Sequence, residues 1–121
     1  SVFSASLNLL ELGASGLDDA EVKLANLPDN IVVTGGYVVV HTASNVAAAT
    51  VQLKAGATTI GAAVDIDAAG TEAVEASLGF EIGPVLSATF STKTHTQGRV
   101  TIVLEYIEYE KTSGELTKVT H

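Results

Sequence analysis

The chain has no cysteine, no tryptophan and no methionine, and only 2 prolines, 3 phenylalanines and 3 tyrosines among its 121 residues. Zero cysteine excludes disulfides, thiolate metal sites and cysteine nucleophiles together. It leaves the compartment open, because a cysteine-free protein tolerates either redox poise. With aromatics at 5%, the core has to be built from Val, Leu, Ile and Ala. Phe3, Phe80, Phe90, Tyr37, Tyr106 and Tyr109 are its few large pieces. Positive charge is scarce as well: 6 Lys and Arg against 14 Asp and Glu give a formal net charge of −8. Lys23, Lys54, Lys93, Arg99, Lys111 and Lys118 are scattered and never adjacent. A nucleic-acid surface needs clustered cations to displace counterions from phosphate, so no nucleic-acid partner is expected. The acidity reads instead as solubility and colloidal stability. No run approaches the roughly eighteen apolar residues of a membrane span, so no membrane partner is expected either. The opening SVFSASLNLLEL lacks the positive n-region of a signal peptide. Ser1 in first place fits removal of an initiator methionine, and no export signal is expected.

What the chain does have is strand-forming sequence, concentrated in Ile31–Ala43, IVVTGGYVVVHTA. Val and Ile are stiff at χ1 and fit a pleated, half-buried surface, so both β-branched runs favour strand. Apolar residues at successive positions predict that neither face of this segment is freely solvated. Gly35-Gly36 is read as a bulge or bend within one long strand rather than a hairpin tip, because Ile31–Val33 is short for a strand alone. Pro28-Asp29-Asn30 upstream is a turn signal.

Short strands are expected on either side. Ser1–Leu12 sets Phe3, Ala5, Leu7 and Leu9 against Ser4, Ser6 and Asn8. Asp18–Leu24 has a period of two, with Ala20, Val22 and Leu24 opposite Asp19, Glu21 and Lys23, and Gly13–Gly16 before it is a loop. Beyond the small-residue connection Thr42–Ala49, strands are expected at Thr50–Lys54 and Thr58–Ile66, joined by a turn at Ala55-Gly56-Ala57 and weakened at Gly61. After an Asp67–Gly70 loop, Thr71–Leu78 (TEAVEASL) is ambiguous, since its Ala and Glu would accept a helical turn or two. Val85–Thr94 and Arg99–Tyr109 alternate again around a turn at Thr94–Gly98. Glu115–His121 is a short polar strand or a loose tail, following a turn at Thr112–Gly114. About eight short strands with a turn signal every 8–15 residues and no long amphipathic helix make an all-β sandwich or barrel, in a single domain spanning 1–121.

Chemistry-bearing patterns are thin. His41, His95 and His121 are the only histidines, and none lies at the spacing of a local metal pair. Asp65–Gly70 begins like a calcium loop, but Ala69 stands at the third ligand position and Ala76 where the closing Glu is required. Asp18-Asp19, after the glycine-bounded loop, reads as an acidic strand entry, with weak cation binding as the alternative. No G-x-S-x-G elbow is present, and Gly13-Ala14-Ser15-Gly16 does not make one. Glu105 and Glu108 are offset by three, which puts them on opposite faces of a strand. Neither phosphate-loop pattern surrounds Gly35-Gly36. No catalytic, cofactor-binding or metal-ligating residue is assigned, no cofactor is expected, and the chain is not read as an enzyme.

One resemblance goes further. Asn26–Val40 (NLPDNIVVTGGYVVV) is followed by the small-residue loop Ser44–Ala49, then Val51–Gly56, Val64–Gly70 (VDIDAAG), and Thr96–Val100 (TQGRV) running into Val103–Ile107 (VLEYI). This progression resembles a group of small virion proteins of tailed bacteriophages. There, LP-x-x-x-I-V-x-G precedes a valine-rich strand, VD-x-x-A-A-G marks a mid-chain loop and T-x-G-x-V…EYI closes the sheet. The shared motifs are turns, glycines and strand cores, spanning about Asn26 to Tyr109. The resemblance implies an antiparallel, jelly-roll-like β-sandwich acting as a capsid decoration (cement) protein. Such a protein sits on the outer surface of the virion head, with the major capsid protein and further copies of itself, commonly a homotrimer, as partners. The polar ends 1–6 and 115–121 are then either extended arms that add to a neighbour's sheet edge or ordinary frayed termini. Two other functions fit the same sandwich: a phage tail, fibre or receptor-binding component, and a small carbohydrate-binding module or metal-dependent enzyme.

Overall fold

The computed structural model describes residues 1–9, 21–91, 95–112 and 115–118. Within these, every regular element is a strand: β1 (Val2–Asn8), β2 (Glu21–Asn26), β3 (Ile31–Thr42), β4 (Thr50–Ala55) and β5 (Thr58–Asp65) in the first half. They are followed by β6 (Gly70–Val74), β7 (Leu78–Phe80), β8 (Val85–Phe90), β9 (Arg99–Thr112) and β10 (Glu115–Lys118). The expected loop at Gly13–Gly16, the acidic pair Asp18-Asp19, the turn residues Ser113-Gly114 and His121 lie outside the described residues.

The strands form two antiparallel sheets, β1-β9-β3-β6 and β2-β8-β4-β5, with β7 also paired to β3 and β10 to β9. The chain folds back on itself as one long ribbon: β1 lies against β9, β2 against β8, β3 against β6 and β7, and β4 against β5. The ribbon then wraps, so that β9 meets β3 and β8 meets β4. Two Greek keys arranged in this way are a jelly roll. β7 and β10 are additions to its eight strands.

Local chemistry explains the details. The ribbon's tip is the two-residue loop Gly56-Ala57 between the paired Ala55 and Thr58. Gly56 has φ +62, which a tight hairpin with glycine at its first central position requires. The segment around Gly35-Gly36 is one continuous strand, as expected, and its register against β9 slips by one residue between Val33 and Gly35. Gly61, expected as a weak point, has φ +64 beside a register slip in the β4–β5 pair. The Gln52 amide spans this bulge, donating to the Leu53, Ile60 and Gly61 carbonyls at 3.0, 3.3 and 3.0 Å. The ambiguous stretch Thr71–Leu78 forms no helix, despite its Ala and Glu. Thr71–Val74 pairs with Val39–Gly36 in β6, and Leu78 pairs with Val33 in β7. The exposed edge of β3 offered ladder partners, and tertiary pairing overrode propensity. Residues 2–6, one of the two candidate arms, are part of β1 and pair with β9 along their length.

Between the sheets lies a core of aliphatic side chains. Ile31, Val33, Val38 and Val40 of β3 and Val100, Ile102 and Leu104 of β9 face Val51 and Leu53 of β4, Ile60 and Val64 of β5, and Leu86, Ala88 and Phe90 of β8. The alternation expected within Val85–Thr94 and Arg99–Tyr109 is what buries Leu86, Ala88 and Phe90 of β8 and Val100, Ile102 and Leu104 of β9.

The two ends of the sandwich are built differently. At one end, Asp29 Oδ1 accepts from the Gly83 amide at 2.6 Å, Asn30 N donates to Glu81 O, and Leu27 N donates to Pro84 O. These bonds hold the 81–84 loop with Ile82 83% exposed. At the other end, loop 43–49 is tied to residues 95–97 and 66–67. Thr96 N donates to Asn45 Oδ1 at 2.7 Å, the Gln97 amide to Ala43 O at 3.1 Å, and Ala48 N to Asp67 Oδ2 at 3.0 Å.

Candidate functional site

The two described histidines serve different parts of the fold. His41 projects from the outer face of the β1-β9-β3-β6 sheet, where its Nε2 meets Thr101 Oγ1 at 2.8 Å. His95 is buried in the loop before β9, with Nδ1 2.6 Å from Ser44 Oγ and its ring edge-on to Phe90 at 6.3 Å. Ser44 Oγ also accepts from Val46 N at 3.0 Å, so the pair closes loop 43–49 over the core. Among the described residues, no three His, Asp or Glu side chains gather as metal ligands. Asp67 spends its carboxylate on the Ala48 amide, and Asp65 is exposed at the end of β5. Glu105 is exposed and Glu108 half-buried, the split that their offset of three demands. Gly35-Gly36 is a backbone crossing point: a Cβ on Gly36 would lie 2.2 Å from Val103 O.

What the surface offers is faces and edges. On the outer face of the first sheet, strand alternation sets Tyr37 and Val39 of β3 beside Val103 and Thr101 of β9 and Ser4 and Ser6 of β1. Tyr37 is 37% exposed and Val39 half-buried. Toward the 43–49 end this face carries a shallow depression lined by Ser6, His41, Thr42, Arg99 and Thr101. Its hydroxyls are linked, with Ser6 Oγ 2.9 Å from Thr101 Oγ1, which in turn meets His41. An arginine guanidinium, an imidazole and three hydroxyls make this depression a donor-rich spot on an acidic protein. A second open depression, about 460 Å³, runs between the edge strands β5 and β6 and is lined by Ala62, Ala63, Val64, Asp65, Glu72, Ala73 and Glu75. Sequence reading missed both: the first draws on β1, β3 and β9, far apart in the chain, and the second on β5 and β6, consecutive strands that end up in different sheets. Alternation along Arg99–Tyr109 does place Arg99 with Thr101 and Glu105 on the outer face, but it does not bring His41 or Ser6 beside them.

No family profile and no curated protein matches this sequence. The fold has a counterpart among solved structures. A chain of the "Acidic stable capsid structure of Helicobacter pylori bacteriophage KHP30" is similar to it with a TM-score of 0.63 and 11% sequence identity. The similarity covers 100% of this chain and 93% of that one. The fold occurs in a bacteriophage capsid. At this identity the likeness is one of architecture, with no residue roles attached to it.

Proposed function

We propose that this chain is a non-enzymatic structural protein of a bacteriophage virion, a decoration protein that binds coat subunits on the outer surface of the head. The observation that carries the reading is the full-length likeness of its jelly roll to a chain of a phage capsid structure. The progression from Asn26 to Tyr109, with its resemblance to small virion proteins of tailed phages, points the same way. The chemistry of the surface is compatible with it. Several of its polar side chains hold loops and strands together, as Asp29, Gln52, Ser44 and Asp67 do. Ile82, held out on a loop pinned by three hydrogen bonds, offers a coat protein an apolar contact that requires no rearrangement. In this reading the partners are the major capsid protein and other copies of the chain, arranged as a homotrimer.

The test is the copy number of the protein in purified virions, by quantitative mass spectrometry against the major coat protein. A ratio close to that of the coat subunit is the expected result. A handful of copies per particle would move the protein to the tail or a vertex. Absence from particles would overturn the virion reading and return the carbohydrate-binding and enzyme readings to the front.

A further inference from the structure

The outer face of the first sheet is richer in apolar side chains than a solvated face requires. β3 and β9 are valine- and isoleucine-rich at consecutive positions, a pattern expected of strands covered on both faces. The second sheet covers only the inner face. On the outer face Tyr37 and Val39 stay partly open to solvent beside the nearly buried Val103. At one end of that stripe sits the donor-rich depression of Arg99, His41, Ser6, Thr42 and Thr101. Elsewhere on the same molecule, the β5–β6 edge presents Asp65, Glu72 and Glu75 around the small side chains Ala62, Ala63 and Ala73. Short side chains on an edge let it approach a neighbouring surface closely, and its carboxylates complement the guanidinium and imidazole.

We infer that the face bearing Tyr37, Val39, Val103, His41 and Arg99 receives the β5–β6 edge of a second copy of this chain. The contact is head to tail: two different patches of one molecule meet the opposite patches of its neighbours, an arrangement that closes into a ring when the rotation permits. The occupant is a second copy because the chain itself supplies the complementary surface. With a net charge of −8, two copies repel over most of their surface. That repulsion favours association where the chain's only arginine can meet its own carboxylates. This inference deepens the trimer element of the proposed function by naming the contacting surfaces.

The test uses the purified full-length chain without capsids, so its outcome is independent of the virion copy number. Sedimentation equilibrium at low salt is expected to give a closed oligomer of three copies, weakening as salt is raised. Arg99→Glu alone is expected to shift the assembly toward monomer by at least tenfold in concentration. Glu72→Lys with Glu75→Lys is expected to do the same, and the two sets combined in one chain should restore assembly. The altered groups are exposed, so the melting temperature of each variant's monomer reports whether the fold survived. A monomeric wild-type chain, a two-copy assembly, or a charge swap that fails to restore assembly in folded protein overturns the inference.

Discussion

Gly36 is a position where the fold leaves no room for a side chain. It lies in the middle of β3, opposite Leu104 of β9, in the central strand pair of the larger sheet. A Cβ there would sit 2.2 Å from Val103 O and 3.2 Å from Leu104 Cα, where ordinary contact begins at 3.4 Å. The obstacle is backbone on a central strand, which cannot rotate away as a side chain can. Gly36→Ala therefore forces β3 and β9 apart by roughly 1 Å, enough to stretch one or two ladder hydrogen bonds and loosen the packing of Val38 and Leu104. We expect a loss of about 3–5 kcal/mol, at or above the upper end for overpacked sites. That loss is reduced by the ~0.4–1 kcal/mol that any Gly→Ala change gains from a stiffer unfolded chain. Gly79→Ala is the matched control, on β7 against the same β3. Its nearest neighbour would be Val32 Cγ2 at 3.9 Å, and it has no positive φ. The unfolded-state gain is the same there and the clash is absent, so the control should be neutral or slightly more stable. The assay is urea unfolding of both variants and wild type, analysed with a shared slope. A Gly36→Ala variant within about 1 kcal/mol of Gly79→Ala would refute the reasoning, since it would mean that the central strands part without cost.

Three further outcomes are expected. Gln52→Leu keeps the side-chain bulk but leaves the Ile60 and Gly61 carbonyls at the β5 bulge without the amide. It should lower stability by about 1–3 kcal/mol, visible as a reduced urea midpoint. Thr89 Oγ1 is buried with no hydrogen-bond partner among the described residues, so Thr89→Val, which removes the hydroxyl at nearly constant shape, should be neutral or stabilising by up to about 1 kcal/mol. A clear destabilisation in thermal unfolding would contradict that account. Deleting Glu115–His121 removes β10, which pairs only with the end of β9 among the described strands. It should weaken attachment to heads in a co-sedimentation assay more than it lowers the melting temperature. Unchanged attachment would show that this segment is not a coat-binding arm.

Much of the fold is legible in the order of residues. The strand at Ile31–Thr42 follows from its β-branched runs, and its continuity through Gly35-Gly36 from the shortness of Ile31–Val33. The alternation of Phe3, Ala5 and Leu7 with Ser4, Ser6 and Asn8 reappears as the half-buried and exposed faces of β1. The Gly56-Ala57 turn and the weak point at Gly61 were visible because glycine marks backbone that other residues avoid. Thr71–Leu78 misleads because its composition carries a helical preference of only tenths of a kcal/mol per residue. Pairing with β3 supplies a complete ladder and outweighs it.

The surface depressions were not legible in that way. Arg99 and His41 are 58 positions apart in sequence, yet they line one depression because β9 pairs with β3. Asp65 and Glu72 share a groove because β5 and β6, though in different sheets, both end up at the same open side of the sandwich. Local patterns determine which segments are strands and which of their faces seek cover, since period and side-chain shape act within a few residues. Which strands become neighbours, and therefore which distant charges share a surface, is decided by how the ribbon wraps. That choice rests on burying the aliphatic faces of both sheets together, an energy summed over the whole chain and carried by no single stretch of it.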